Sequence, residues 1–217
     1  MRRIFAILTL LLLAGCVEAG PASGPNSDFF ANSGPLSGKY SGADAGYLIT
    51  TVAARFDTGY DSYNLNFRKK DRSTESNVWW GQSNMFDRRK LDIDDGKERG
   101  IVEVRRLPPG DYEFFNFKIS RNGGTVQEWW TSKQDYSIPF TIKSGQATYV
   151  GEFMAIELHG KNFLGMTVQD GAYFVLSDKT ERDVAIAKQK EPGVSEVTSA
   201  VVDPNTIGNP LISATIH

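Results

Sequence analysis

From Gly46 onward the chain is cut into short runs of aromatic and β-branched residues, and this limits it to folds built from strands. GYLITTVAARF is apolar and β-branched, and SYNLNFRKK alternates through Tyr63, Leu65 and Phe67. NVWWGQ follows, then GIVEVRRL, with Ile101 or Val102 and Val104 on alternate sides. DYEFFNFKIS carries Tyr112, Phe114 and Ile119, and DYSIPFTIK sets Ile138, Phe140 and Ile142 on one face. QATYVGEFMAIEL and GAYFVLSD complete the set. Runs of this composition, separated by Gly, Asn, Asp and Pro, read as strands. About seven to nine are expected. No strand alternates with a long helical pattern, which argues against a doubly wound parallel sheet. An all-β, antiparallel two-sheet β-sandwich over residues 45–178 fits.

One connection has specific chemistry. In Leu107-Pro108-Pro109-Gly110-Asp111-Tyr112, proline presets φ and glycine supplies the left-handed position that a tight turn needs. This segment resembles the L-P-x-G-x-Y turn of transthyretin-like and carboxypeptidase-regulatory-like sandwiches. The later FTIKSGQATYVGEF resembles a strand pair in bacterial lipoproteins of uncharacterised families, including those with a DUF2846-type domain. The resemblance runs from about Gly46 to Ser177, with its specificity in these two stretches. It implies a fold and no catalytic residues.

The chain has a single cysteine, Cys16. Before it stand Arg2 and Arg3, an apolar run from Ile4 to Leu13, and the small residues Ala14 and Gly15. This is the layout of a secretory signal peptide over residues 1–15. The run is shorter than the ~20 residues a membrane-spanning helix takes. Leu13-Ala14-Gly15-Cys16 resembles a lipobox, which implies cleavage between Gly15 and Cys16 and acylation of Cys16. Two or more acyl chains anchor stably where one does not. Val17 is not the Asp that holds such proteins at the inner membrane, so the resemblance implies the periplasmic face of the outer membrane, or the cell surface in a Gram-positive host. With Cys16 acylated, no disulfide can form, and a core must hold the domain.

Residues 16–44 are rich in Gly, Ser, Pro, Ala and Asn and read as a flexible tether interrupted by Phe29 and Phe30. At the other end, SDKTERDVAIAKQKEPG reads as a short helix over 179–191. Asp178 and Glu181 are placed for a capping box, Glu181 and Asp183 lie early, Lys188 and Lys190 late, and Pro192-Gly193 beyond the end. Val184 and Ala187 are spaced to pack it on the sandwich. Residues 192–217 have weak patterning and leave three readings open: an edge strand, a disordered arm, or a segment ordered by a partner.

Motifs for chemistry are sparse. There are two histidines, His159 and His217, no G-x-S-x-G, no H-E-x-x-H and no Gly-rich phosphate loop. A catalytic site is therefore not expected, and no metal or other cofactor. LDIDDGKERGIVE has Asp92, Asp94, Glu98 and Glu103 in a pattern like a calcium loop, but its glycine is misplaced and an acidic hairpin is the better reading. Two tryptophan pairs, Trp79-Trp80 and Trp129-Trp130, form the candidate binding surface. Neighbours on a strand point to opposite faces, so one of each pair can face outward, with Tyr60, Tyr63, Phe115 and Tyr136 as further aromatics. Basic clusters at Arg68-Lys69-Lys70 with Arg72, and at Arg88-Arg89-Lys90, either meet anionic headgroups or are solvated loops. Losing Arg2 and Arg3 with the leader takes the formal charge from −2 to −4, which disfavours nucleic acid as a partner. The expectation is a non-catalytic envelope lipoprotein, membrane-bound through Cys16, that holds a protein partner. The alternatives are a glycan-binding module using outward Trp rings and, below it, a hydrolase using His159 or a pair of carboxylates.

Overall fold

The computed structural model describes residues 40–81, 91–122 and 127–216. The leader, Cys16, most of the tether, the Arg88-Arg89-Lys90 cluster and His217 lie outside the described residues. The described strands are β1 (Gly46–Arg55), β2 (Ser62–Lys69), β3 (Glu75–Gly81), β4 (Ile93–Asp94), β5 (Glu98–Leu107), β6 (Gly110–Asn122) and β7 (Gln127–Thr131). Then come β8 (Ile138–Ile142), β9 (Ala147–Lys161), β10 (Thr167–Ser177), helix α1 (Thr180–Lys190), β11 (Val197–Ser199) and β12 (Ile212–Ser213). The expected two-sheet, all-β architecture with one short helix is what these elements build. Nine of the strands have five residues or more, and β4, β11 and β12 are short additions at the rims.

One sheet has seven strands in the order β12-β10-β9-β1-β5-β4, with β11 also on β9. The other has five in the order β3-β2-β6-β7, with β8 also on β6. Not every ladder is antiparallel: β1–β9, β9–β11 and β10–β12 run parallel. Parallel neighbours need a long crossover between them. Between β1 and β9 that crossover includes the whole five-stranded sheet.

The inner faces meet in an aromatic core. Tyr63, Phe67, Phe114, Phe117 and Phe140 from the smaller sheet face Leu48, Val52, Phe153 and Phe174 from the larger. Phe114 lies 5.2 Å from Phe153, and Phe117 lies 5.0 Å from Phe174 edge-on, so ring pairs span the gap between sheets. The Leu107–Tyr112 turn is sheet-switching. Leu107 pairs with Gly46 in the larger sheet and Gly110 with Ile142 in the smaller. Gly110 has φ +152°, and the buried Tyr112 donates its hydroxyl back to Pro108 O at 2.7 Å. The turn in FTIKSGQATYVGEF switches sheets in the same way, from β8 to β9.

Helix α1 covers the outer face of the larger sheet, where Ile49, Val102, Tyr149, Ala187 and Val194 form a second cluster. β1 is thus covered on both faces, which explains why GYLITTVAAR shows no polar alternation. Of the two residues expected to pack α1, Ala187 is buried and Val184 half-buried. The unanticipated anchor is Asp183, fully buried, which accepts from Thr51 Oγ1 at 2.6 Å and Tyr149 Oη at 2.7 Å. Arg182 binds Asp183 at 2.7 Å and also pairs with Glu98 and Glu152. Burial raises the Tyr149 pKa, reinforced by Asp183, and burial likewise raises Glu152 above the usual carboxylate range. The capping box does not form: the N-cap is Lys179, without a side-chain cap, and Asp178 instead accepts from the Thr180 backbone N–H at 2.8 Å. The 192–217 segment supplies β11, β12 and a single 3-10 turn at Pro204–Thr206.

Candidate binding end

The two tryptophan pairs obey strand alternation and divide between core and surface. Trp80 is 3% exposed and stacks on Tyr63 at 4.9 Å. It is a core residue and leaves the candidate surface. Trp79 faces outward on β3 and is half-buried. A Cβ on Gly81 would lie 2.6 Å from its ring, so the indole lies down along the sheet. Trp129 faces outward on β7 and is 56% exposed, with Lys118 Nζ 5.1 Å from its ring centre. Burial lowers the Lys118 pKa. In register, Ser62, Asn64 and Ser120 lie between the two outward rings, and all three are buried. The rings therefore do not frame an open sugar-length platform. Tyr60, Tyr63 and Tyr136 are also buried, and Phe115 is half-buried beneath Arg68, so these aromatics build no surface.

Trp130 points the other way, into the gap between sheets at one end of the sandwich. It meets Tyr60 edge-on at 4.9 Å. The Tyr60 hydroxyl donates to Gly171 O at 2.7 Å and accepts from Gly171 N at 3.0 Å. Burial pushes the Tyr60 pKa up to about 12. Gly171 has φ +103° and sits in the bulge where the β9–β10 register shifts between Gln169 and Ala172. A Cβ there would lie 3.5 Å from Trp130, so the bulge is closed against the indole. Tyr60, Trp130 and Gly171 thus lock β10 to β7.

Beside this lock is an open-sided cleft of about 550 Å³. Phe117, Trp130, Leu158, Ala172 and Leu211 give it apolar walls. Gln134 and Asn209 face each other at its rim, Asn209 Nδ2 lying 3.5 Å from Gln134 O, and Lys133 and Asp170 add one charge of each sign. A volume of this size with apolar walls and few polar groups suits one or two apolar side chains of a ligand. Leu158 belongs to the outer half of the β9–β10 hairpin, where Phe163, Leu164, Met166 and Val168 are also exposed. Among the described residues six of the eight large exposed apolar side chains lie on this hairpin or at Trp129, which sets this end apart from the rest of the surface.

The other sequence candidates are dispersed. His159 pairs with Glu157 at 3.1 Å, and the groove it lines offers Thr167, whose hydroxyl accepts from Lys161 Nζ at 2.7 Å. The acidic stretch is a hairpin, β4–β5, turning at Gly96 with φ +81°. Its carboxylates take separate partners: Asp92 holds Val102 N and Lys190, Glu98 holds Arg182, and Glu103 holds Arg105. Among the described residues no group of three or more His, Cys, Asp or Glu side chains is placed to hold a metal ion. Arg68 is buried between Glu113 at 2.8 Å and Asp135 at 3.2 Å, which removes it from any headgroup-binding patch. Sequence reading missed Leu158 and the hairpin tip. The available signal was the apolar pair Phe163-Leu164 bracketed by Asn162 and Gly165, with Met166 just beyond.

No family model matches the chain, and no curated protein matches it. A solved leucine-rich repeat protein from Bacteroides thetaiotaomicron aligns with 51% of this chain and 14% of its own, at 10% identity and a TM-score of 0.33. That likeness carries no argument about fold or function.

Proposed function

We propose that this protein is a non-catalytic binding module of the bacterial cell envelope, anchored through acylated Cys16, and that its cleft holds a protein partner. The observation that carries the reading is the cleft of Phe117, Trp130, Leu158 and Leu211, placed at the end where exposed apolar side chains gather. An aromatic or aliphatic anchor from a partner, buried in such a pocket, supplies most of the energy in many protein interfaces. The rim amides and the Lys133 and Asp170 charges would fix its orientation. The lipobox resemblance supports the envelope address. Among the described residues no helix is long and apolar enough to cross a membrane.

A photo-crosslinking residue placed at Gln134 in the full chain, in intact cells, tests the cleft. The expected result is one discrete protein adduct, lost when Leu158→Glu fills and charges the wall. Absence of any adduct from Gln134, Lys133 and Asn209 alike sinks the cleft reading. Cys16→Ser tests the anchor: it should abolish acyl labelling and release the protein from membranes, and a variant that stays acylated refutes it.

A further inference from the structure

Beyond the bulge at Gly171, β9 and β10 leave the sandwich. β1 follows β9 only to Ala155, and β12 meets β10 only at Phe174 and Val175. The rungs Gln169–His159, Val168–Gly160 and Thr167–Lys161 thus make a two-stranded finger. Its base is braced. Arg121 donates to Gln169 Oε1 at 2.6 Å, and the Gly59 backbone N–H donates to Glu157 at 2.7 Å. At its tip, Phe163 is 94% exposed, Leu164 65% and Met166 54%.

We infer that this tip enters the headgroup region of an anionic lipid bilayer. Three observations point there. First, among the described residues nothing covers Phe163, so its ring projects from the tip. Second, the turn satisfies its own backbone. Asn162 Oδ1 accepts from Leu164 N and Met166 N, each at 3.0 Å. Gly165 N donates to Asn162 O at 2.9 Å, and Asn162 N to Met166 O at 3.0 Å. Gly165, at φ +78°, supplies the left-handed residue. Four backbone donors are thereby already paired, which a segment entering a water-poor layer requires. Third, charge is ordered along the finger. Lys161 stands directly behind the tip, with its Nζ donating to Thr167 Oγ1 at 2.7 Å. The carboxylates stand further back than Lys161: Asp170 reaches Gly160, one residue behind it, and Glu157 is held by Gly59 and His159. Apolar tip, then a lysine, is the order that matches acyl boundary, then anionic headgroups.

The test reads the tip itself, so that membrane attachment elsewhere in the chain does not confuse it. Full-length protein carrying Cys16→Ser and Leu164→Cys is labelled at position 164 with an environment-sensitive fluorophore. It is then mixed with vesicles of phosphatidylglycerol and phosphatidylethanolamine bearing a lipid-attached quencher. The expected result is a blue shift and quenching at 164, and neither for a label at Lys188→Cys on α1. Loss of one large apolar side chain should weaken the effect about tenfold, so Phe163→Ser together with Met166→Ser should abolish it. Lys161→Glu should reduce it several-fold, as should neutral phosphatidylcholine vesicles. These tip residues are exposed, and unchanged thermal melting of the variants will separate lost binding from lost folding. A label at 164 that stays in water with vesicles overturns the inference. A shift that appears only with added envelope protein, or only as the chain's own concentration rises, does the same.

Discussion

The β9–β10 hairpin is two structures in one pair of strands. From Ala147 to Ile156, β9 is buried almost throughout, with Phe153 facing the other sheet and Tyr149 facing α1. From Glu157 to Lys161 the same strand is largely exposed, and its partner follows the same course. The ladder is continuous apart from one bulge, so hydrogen bonding does not separate the halves. What separates them is cover. The inner half is roofed by the smaller sheet on one face, and on the other by α1 near Tyr149 and by Leu211 near Ile156 and Tyr173, and the outer half has no such cover among the described residues. Apolar residues in the first half hold the fold together. Those in the second half are exposed and have no such role among the described residues.

Three measurements would break or sharpen this contrast. The largest effect is expected in the inner half. Phe153→Ala removes a fully buried ring 5.2 Å from Phe114, and should cost about 3–5 kcal/mol in denaturant unfolding. A loss below 1 kcal/mol would mean that the sheets are not held by these cross-sheet rings. The boundary comes next. Tyr60→Phe leaves the Gly171 N–H and carbonyl without the hydroxyl that pairs both, at a cost of about 1–3 kcal/mol. Hydrogen exchange should then quicken at Gly171 and along the outer finger, while the inner half of β9 stays protected. Equal quickening throughout would deny that the bulge is a boundary.

The smallest effect is a pH trend on the helix-covered face. Burial holds the Glu152 pKa above its ordinary 4.5, so the folded protein keeps this proton more tightly than the unfolded chain. Its contribution to stability is full below pH 4.5 and is lost as pH rises through the folded-state value. Glu113 works in the opposite sense. Its pKa is lowered, because Ser137 and Arg68 outweigh the burial that would raise it, and its contribution fades on acidification. Glu152→Gln should therefore remove a component of melting temperature that declines as pH climbs from 4.5 towards neutrality. If wild type and variant show parallel pH profiles, Glu152 is not the titrating group.

The strands were legible because alternation survives wherever one face is wet or one face is core. Tyr63, Leu65 and Phe67 on β2, and Ile138, Phe140 and Ile142 on β8, announce themselves. The sheet to which each strand belongs was not legible. LPPGDY reads as a turn whether it joins neighbours in one sheet or, as here, carries the chain across. β11 and β12 pair over only two or three residues, too few to leave a period. The split within each tryptophan pair followed from alternation, whereas the choice of Trp80 and Trp130 as the inward members depended on Tyr63 and Tyr60, brought there by the fold. Asp183 looked like a dipole-favouring charge in a first helical turn. Its burial against Thr51, 132 positions away, and Tyr149, 34 away, is beyond what local pattern carries.

The parallel ladder between β1 and β9 places Tyr47 opposite Ala147, a hundred residues later in the chain. While the polypeptide is being made, β1 emerges long before the strand that completes its sheet. Loop closure over such a distance slows folding, and even after β5 has paired with one edge of GYLITTVAAR, an uncharged β-forming stretch up to its final Arg55, the other edge stays bare. The same pairing that seals the folded protein leaves one edge of β1 open for as long as β9 is missing.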